Sequence, residues 1–310
     1  MSPAGQTEVP SQATSYDRAV ASARFLVVAA ALLWSTSGFF TKSHLLEGWP
    51  GPVLAFWRAL FASLVLVPLV RRPQWSWRLI PATALFALMN YTYLSAMVQG
   101  TAANAIWLQC TAPVWVLIVG VLVFREPAVL GDWLLILCSA AGVLLILVCE
   151  LSAAAGASLS AVSYGLASGV FYAGVVLSLR QLRNLEAAWI VALNHVVTAI
   201  ALAPFLWQRD AVTGVLEIHF WPAGMQWFLL AGLGIVQMGL PYVLFARSLK
   251  SIPGHEASGI GLIEPVLVPV WVFLLTRDHE RPAWWTLAGG GFIFLGLLVR
   301  YFGVKAKPLP

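Results

Sequence analysis

The chain has 310 residues, of which 60% are hydrophobic and only 10% are charged, and its mean hydropathy is +0.84. Soluble domains carry about a quarter charged residues, so this composition excludes an ordinary soluble protein. The formal net charge is +5. It does not indicate nucleic-acid binding, because the basic residues stand in short clusters beside apolar stretches, where they set topology and attract anionic lipid headgroups.

Ten apolar stretches are long enough to cross a bilayer, which takes about 20 residues in a helix. In chain order we predict the spans Phe25–Leu45, Val53–Val70, Leu79–Val98, Ala102–Phe124, Ala128–Cys149, Leu159–Leu179, Ala187–Trp207, Gly224–Ala246, Ala257–Thr276 and Ala283–Phe302. The first is too long for the core of a signal peptide and should remain as a helix. Residues 1–24 are expected to be a disordered cytoplasmic tail, and residues 303–310 a second cytoplasmic tail. The longest loop, from Gln208 to Ala223, is too short for a soluble catalytic domain.

The basic residues divide unequally between the two sides of the membrane, with thirteen on one side and four on the other. The larger set is Arg18, Arg24, Arg71, Arg72, Arg78, Arg125, Arg180, Arg183, Arg247, Lys250, Arg300, Lys305 and Lys307. The smaller set is Lys42, Arg209, Arg277 and Arg281. Short loops rich in Lys and Arg stay in the cytoplasm. We therefore expect a multi-pass protein of the inner (cell) membrane with both termini cytoplasmic.

The fourth and ninth spans can be aligned, which indicates an internal repeat. Pro113-Val114-Trp115-Val116 matches Pro265-Val266-Leu267-Val268 at an offset of 152, and the same offset places Arg125 over Arg277. We expect residues 25–149 and 159–302 to form two five-helix repeats joined by a linker at 150–158. Because five is odd, the second repeat enters the membrane from the opposite side, as in the inverted repeats of secondary transporters.

Small residues at helical spacing predict close contacts between helices. The pattern Gly165-x-x-x-Gly169 and the run Gly289–Gly291 both belong to this class. Gly232-x-Gly234 lies inside an apolar span with no preceding strand, so it is not a nucleotide-binding loop.

Four short motifs in this order resemble one known family. They are Trp34-Ser35 with Lys42, then Phe56-Trp57-Arg58, then Pro113 followed by Phe124-Arg125-Glu126, and finally Glu264-Pro265-Val266. Across ten spans the chain resembles a ten-helix EamA-type permease of the drug/metabolite transporter superfamily. The resemblance implies export or exchange of small metabolites such as amino acids through a central cavity lined by both halves. Arg277-Asp278 departs from the Gly-Glu pair that more often ends the ninth span of this family.

Ionisable side chains inside the spans are the first candidates for function, because each costs about 2.5–3.5 kcal/mol on insertion scales. Glu264, directly before Pro265, suits a cationic group of a solute or a transported proton; the alternative is a hydrogen-bonding role within the bundle. Arg58 either reaches the interface, pairs with a carboxylate in the bundle or binds a carboxylate of the solute. His195 titrates near pH 6.5 when unperturbed, so it is a second proton-coupling candidate, against a packing role as the alternative.

Polar and aromatic residues inside the spans form a larger candidate set, because hydrocarbon does not solvate such groups. The sixth span, for example, places Ser160, Tyr164, Ser168 and Tyr172 four residues apart on one face. For each residue alone the alternative is packing between helices, but both halves supply such groups at similar depth. The predicted substrate-binding residues are Trp34, Ser37, Asn90, Tyr93, Asn104, Trp107, Cys110, Tyr164, Ser168, Tyr172, Gln237, Tyr242 and Glu264.

The sequence thus predicts an all-α membrane protein of ten transmembrane helices that acts as a secondary transporter by alternating access. A mostly uncharged cavity with aromatic walls suits a small amphipathic or zwitterionic solute, and the family resemblance implies amino acids or related metabolites. The alternatives are a membrane-embedded enzyme acting on lipid-like substrates and a channel. Cys110, Cys138 and Cys149 lack metal-ligand spacing, and we expect no enzyme activity, no cofactor and no metal. The expected partners are the solute and membrane lipids, with no nucleic acid, and the working expectation is a monomer.

Overall fold

A computed structural model describes residues 12–125, 130–152, 159–182, 184–209, 215–249, 251–252, 257, 260–276 and 282–302. Eight of its helical segments are long and apolar enough to cross a membrane, and they coincide with the first eight predicted spans. Two shorter apolar helices follow in the places of the ninth and tenth spans. The prediction of an all-helical membrane protein is confirmed.

The helices of the first repeat follow the predicted spans closely. They are Gln12–Ser35 with Ser37–Thr41, Gly51–Leu66, Leu79–Gln99, Ala102–Gln109 with Ala112–Leu122, and Leu130–Ser152. Short 3₁₀ turns at His44–Leu46 and Val67–Leu69 follow the first two spans. The first helix begins within the segment expected to be a disordered tail, because residues 12–24 are rich in alanine and contain neither Gly nor Pro.

The second repeat departs more from regular α-helix. Its helices are Leu159–Gln181, Ala187–Leu202, Gln226–Ala231, Leu240–Ser248, Ile263–Thr276 and Trp284–Phe302. Within the eighth span, a π-helix at Gly232–Gly239 joins the two α-helical parts. After the seventh span, a 3₁₀ turn at Ala203–Leu206 leads into a small antiparallel hairpin of Trp207–Arg209 and Leu216–Ile218, which the sequence did not predict.

The helices pair across the two repeats in a symmetric pattern. The most extensive contacts join the fifth span to the tenth, the third to the sixth, the second to the seventh and the first to the eighth. Each span has a counterpart in the other repeat, five spans away in the sequence. If every span is replaced by its counterpart, the third–sixth pair becomes the eighth–first pair, and the fifth–tenth and second–seventh pairs are unchanged. A twofold relation between the repeats produces this pattern.

The fourth and ninth spans are interrupted at equivalent positions. The fourth breaks at Cys110 and Thr111, and the ninth turns at Leu262, which is the equivalent of Cys110 at the offset of 152. In each case a proline, Pro113 or Pro265, stands in the first turn of the helix that follows. Proline is tolerated there because the first turn needs no donated backbone N–H. The ninth helix is consequently shorter than predicted, at 14 residues from Ile263 to Thr276.

Candidate functional site

Four side chains from both repeats form a charged and aromatic group in the interior, which we call the central cluster: Arg58, Tyr93, Tyr242 and Glu264. They come from the second, third, eighth and ninth spans. The Arg58 guanidinium carbon lies 5.9 Å from the centre of the Tyr93 ring. Arg58 also interacts electrostatically with Tyr242 and Glu264. The cluster therefore brings one cationic and one anionic residue together from opposite repeats.

Arg58 is deeply buried, with 5% of its surface exposed. Its Nη2 donates to the Met238 sulfur at 2.9 Å. The close approach of the eighth span to the second depends on Gly234, where a Cβ would stand 2.8 Å from the Arg58 carbonyl oxygen. Arg58 thus does not extend to the membrane surface, and the alternative of an interfacial side chain is wrong.

Glu264 lies in the first turn of the helix Ile263–Thr276, directly after the break in the ninth span. The backbone N–H groups of a first turn have no partner within their own helix, and the helix dipole favours a negative charge there. The Cys110 side chain, at the equivalent break in the fourth span, lies near enough to Glu264 for their charged forms to repel each other. The two breaks therefore face the same interior region.

Further predicted residues surround the central cluster. Ser37 and Tyr93 share a hydrogen bond between their hydroxyls at 3.1 Å. Trp34 lies edge-to-face against Tyr242 with ring centres 5.3 Å apart, and its carbonyl accepts from Gln237 Nε2 at 3.0 Å. The structure thus gathers Trp34, Ser37, Tyr93, Cys110, Gln237, Tyr242 and Glu264 into one region.

His195 adjoins this region from the seventh span. It is 1% exposed, and its ring packs between Phe86 and Tyr242 at centroid distances of 4.9 and 5.7 Å. Nδ1 lies 2.7 Å from the Val191 carbonyl oxygen, one turn earlier in the same helix. This hydrogen bond and the two aromatic contacts are typical of a histidine that packs between helices.

Asn104 and Trp107, on the fourth span, contact the fifth and tenth spans instead of the central cluster. Asn104 Nδ2 donates to Glu150 Oε1 at 2.8 Å, and the Trp285 indole N–H donates to the same oxygen at 3.2 Å. A side chain on Gly290 would overlap the Trp107 ring. These contacts point toward the fifth and tenth spans, away from the central cluster. Asn90, on the third span, donates to the Phe86 carbonyl in its own helix.

The predicted stripe on the sixth span is divided among three environments. Tyr164 hydrogen-bonds Tyr91 at 3.4 Å and lines a cavity of about 460 Å³. Ser168 is buried, and its hydroxyl donates to the Gly165 carbonyl. Tyr172 is 41% exposed on the outer surface of the bundle. Of the predicted substrate-binding residues on this span, Tyr164 is the one that lines the cavity.

The 460 Å³ cavity lies where both repeats meet, at the helix ends that we predict to be extracellular. It is lined by parts of the second, third, sixth and seventh spans, with aromatic and polar side chains that include Trp49, Tyr91, Ser95, Gln99, Tyr164 and Phe205. Tyr164 is the member of the predicted substrate-binding set that lines it. The cavity is therefore an aromatic vestibule at one end of the bundle, and the residues of the central cluster do not line it.

Two residues of this interior, Arg58 and Met238, lie outside the predicted substrate-binding set, although Arg58 was a candidate for binding a solute carboxylate. Arg58 was the single basic residue well inside a span, and that signal was available in the sequence. Met238, which contacts Arg58, gave no signal, because an apolar side chain in an apolar span is unremarkable. Among the described residues, no group of three or more His, Cys, Asp or Glu side chains could hold a metal ion.

An all-helical membrane protein of two similar halves, with interrupted helices and a buried charged cluster where the halves meet, has the architecture of a secondary transporter. The chain belongs to the EamA-like transporter family, which matches it twice, over residues 21–148 and 159–302.

Named relatives agree with this assignment. The chain is 26% identical to a protein of Archaeoglobus fulgidus named "Uncharacterized transporter", over 89% of this chain and 94% of that one. It is 28% identical to the "Uncharacterized transporter YwfM" of Bacillus subtilis, over 43% of each chain. A solved crystal structure shares the fold at a TM-score of 0.59 and 18% identity, covering 90% of this chain and 96% of that one.

Proposed function

We propose that this transporter exports or exchanges small metabolites, with amino acids and related amphipathic solutes as the leading class, by alternating access. Membership of the family supports transport itself. The central cluster is the observation that supports the solute class and the location of the site.

The two interrupted spans provide the moving parts. Each break separates a helix into halves, so the halves can tilt relative to one another without disrupting a continuous hydrogen-bond ladder. Because Cys110 and Glu264 at these breaks lie near each other in the interior, a tilt at either break would change the surroundings of the central cluster. Opposite tilts of the two repeats would open the site to one side and then to the other.

The chemistry of the cluster favours a zwitterion. Arg58 offers a cationic group and Glu264 an anionic group, while Tyr93, Tyr242 and Trp34 supply aromatic surface. An amino acid carries a carboxylate, an amine and an apolar body of matching kinds. A phosphorylated solute would need several inward-facing basic residues, and among the described residues Arg58 is the only Lys or Arg that is buried.

Glu264 is the stronger of the two proton-coupling candidates. It is partly accessible in the first turn after a helix break, whereas His195 is enclosed by aromatic rings. The groups that face Glu264 are Arg58, Tyr93, Tyr242 and Cys110. In proton-coupled export, a solute and a proton would both bind at the central cluster. In exchange of one solute for another, only the solute would bind there.

Counterflow into liposomes tests this function. Purified protein is reconstituted into vesicles preloaded with an unlabelled mixture of common amino acids, and uptake of each labelled amino acid is followed with and without a pH gradient. We expect uptake of at least one amino acid above that of protein-free vesicles. Uptake indistinguishable from empty vesicles for all of them would refute the solute class.

A further inference from the structure

Arg58 is buried without the acceptors that its charge requires. A guanidinium has five N–H donors. In this structure its Nη2 donates to the Met238 sulfur, while Nε and Nη1 have no hydrogen-bond partner among the described residues. A thioether is a weak acceptor, and an unpaired charge in the interior is strongly destabilising. The side chain is therefore arranged for an acceptor that the protein itself does not supply.

Two neighbouring polar atoms are unsatisfied in the same way. Gln237 Oε1 and His195 Nε2 are both buried and lack a hydrogen-bond partner among the residues described. Gln237 precedes Met238 in the π-helix, and the His195 ring contacts Tyr242, which interacts with Arg58. π-Helical segments are frequent at functional sites. Buried unsatisfied groups on the second, seventh and eighth spans thus lie in or beside the central cluster.

Glu264 does not supply the missing acceptor. It attracts Arg58 electrostatically from the opposite repeat, but no nitrogen–oxygen contact within 4.0 Å joins the two among the side chains that the structure describes. The Glu264 carboxylate is therefore held apart from the guanidinium. Nη1 and the second N–H of Nη2 form the end-on edge of the guanidinium, where the two oxygens of a carboxylate fit in a bidentate pair.

We propose that Arg58 is the anchor for the carboxylate of the transported solute, with Glu264 facing the solute's cationic group. This inference rests on the proposed function and narrows its solute class to molecules with a free carboxylate. Arginine rather than lysine suits the role, because its planar fork fixes the orientation of a carboxylate as well as its charge. The Tyr93 ring that flanks the guanidinium holds it in place.

Thermal unfolding of the purified wild-type protein tests the proposal without any substitution. The melting temperature is measured in detergent with millimolar concentrations of each common amino acid, its amide and its decarboxylated amine. We expect at least one amino acid to raise the melting temperature and both of its carboxylate-free derivatives to fail. Stabilisation by the amides or amines to the same extent would overturn the proposal, and so would the absence of stabilisation by every amino acid.

Two substitutions locate the effect. In Arg58→Lys the charge remains but the fork is lost, and in Arg58→Gln both are lost. We expect the stabilising amino acid to bind roughly tenfold to a hundredfold more weakly to Arg58→Gln, and with intermediate affinity to Arg58→Lys. Arg78→Gln is the matched control, because Arg78 is exposed at the start of the third span and stacks on Trp77. Equal weakening in Arg78→Gln, or none in Arg58→Gln, contradicts the assignment.

The result separates this inference from the proposed function. Counterflow of amines or amides that lack a carboxylate would leave amino-acid-related transport in place and remove the role of Arg58. Binding of carboxylates through Arg58 without any counterflow would retain the site and remove the transport proposal.

Discussion

Glu264 and His195 are both ionisable residues of the second repeat that lie near the centre of the bundle, and their contacts differ. His195 makes a bond to its own helix and contacts two aromatic rings. Glu264 stands at a helix break and faces side chains of four other spans. A residue that must exchange a proton with either side of the membrane needs the second kind of environment.

Replacing Glu264 should therefore affect coupling more than replacing His195. We expect Glu264→Gln, which keeps the shape and removes the ionisable proton, to abolish any stimulation of uptake by a pH gradient. His195→Phe should retain that stimulation, because a phenyl ring preserves the aromatic packing. Uptake into liposomes at fixed internal pH and varied external pH measures both. If a pH gradient still stimulates uptake by Glu264→Gln to the same extent, a group other than Glu264 carries the proton.

The sequence could identify which residue types lie in the interior, but not which neighbour each one meets. Tyr93, Tyr242 and Glu264 were predicted as site residues, and the structure places them in one cluster. Asn104 and Trp107 share a helical face as predicted, yet that face contacts the fifth and tenth spans. Helical periodicity defines a face, and only the tertiary packing decides what covers it.

At the scale of elements, glycines let the fifth and tenth spans pack closely. A Cβ on Gly289 would stand 2.7 Å from the Gly142 carbonyl oxygen, whereas a Cβ on Gly291 would meet nothing within 4 Å. The predicted role of the run Gly289–Gly291 in close packing thus falls on Gly289 and Gly290 rather than on Gly291.

This difference gives a paired prediction. Gly289→Ala should lower the free energy of unfolding by about 1–3 kcal/mol, because overpacking forces the two helices apart. Gly291→Ala should leave it unchanged or raise it by up to about 1 kcal/mol, since alanine favours helix over glycine. Thermal unfolding in one detergent compares the two variants, and similar losses in both would contradict the packing that we describe.

Glu150 connects three elements: the start of the fourth span, the end of the fifth and the start of the tenth. Glu150→Ala would leave the Asn104 amide and the Trp285 indole N–H without their acceptor. We expect it to reduce the free energy of unfolding by about 1–3 kcal/mol, with Glu150→Gln much closer to wild type because an amide oxygen still accepts. Chemical unfolding followed by tryptophan fluorescence measures both, and a Glu150→Gln loss equal to that of Glu150→Ala would argue against the hydrogen-bonding role.

Helix type was less predictable than helix position. The prolines at 113 and 265 indicate where a helix can start, so the breaks before them have a sequence signal. The π-helix at Gly232–Gly239 has none, because a shift from i→i+4 to i→i+5 bonding is decided by how the eighth span packs on the second. The hairpin of Trp207–Arg209 and Leu216–Ile218 is likewise too short to show a strand pattern.

At the scale of the whole molecule, the distribution of basic residues predicts the orientation. A fluorescent protein fused after Pro310 should fold and fluoresce, because the carboxyl terminus is expected in the cytoplasm. A periplasmic phosphatase at the same point should be inactive, whereas the phosphatase inserted after Gln208, in the longest predicted extracellular loop, should be active. The reverse pattern would place both termini outside the cell and the 460 Å³ cavity on the cytoplasmic side.

The two halves differ in shape although they are related in sequence. The eighth span contains a π-helix and the third, its counterpart, is a regular α-helix. The cavity borders the second, third, sixth and seventh spans. If each half adopts the shape that its counterpart has now, the equivalent opening would lie among the seventh, eighth, first and second spans, on the other side of the membrane. The difference between the two halves in this one conformation would then show the shape of the conformation that is open to the other side.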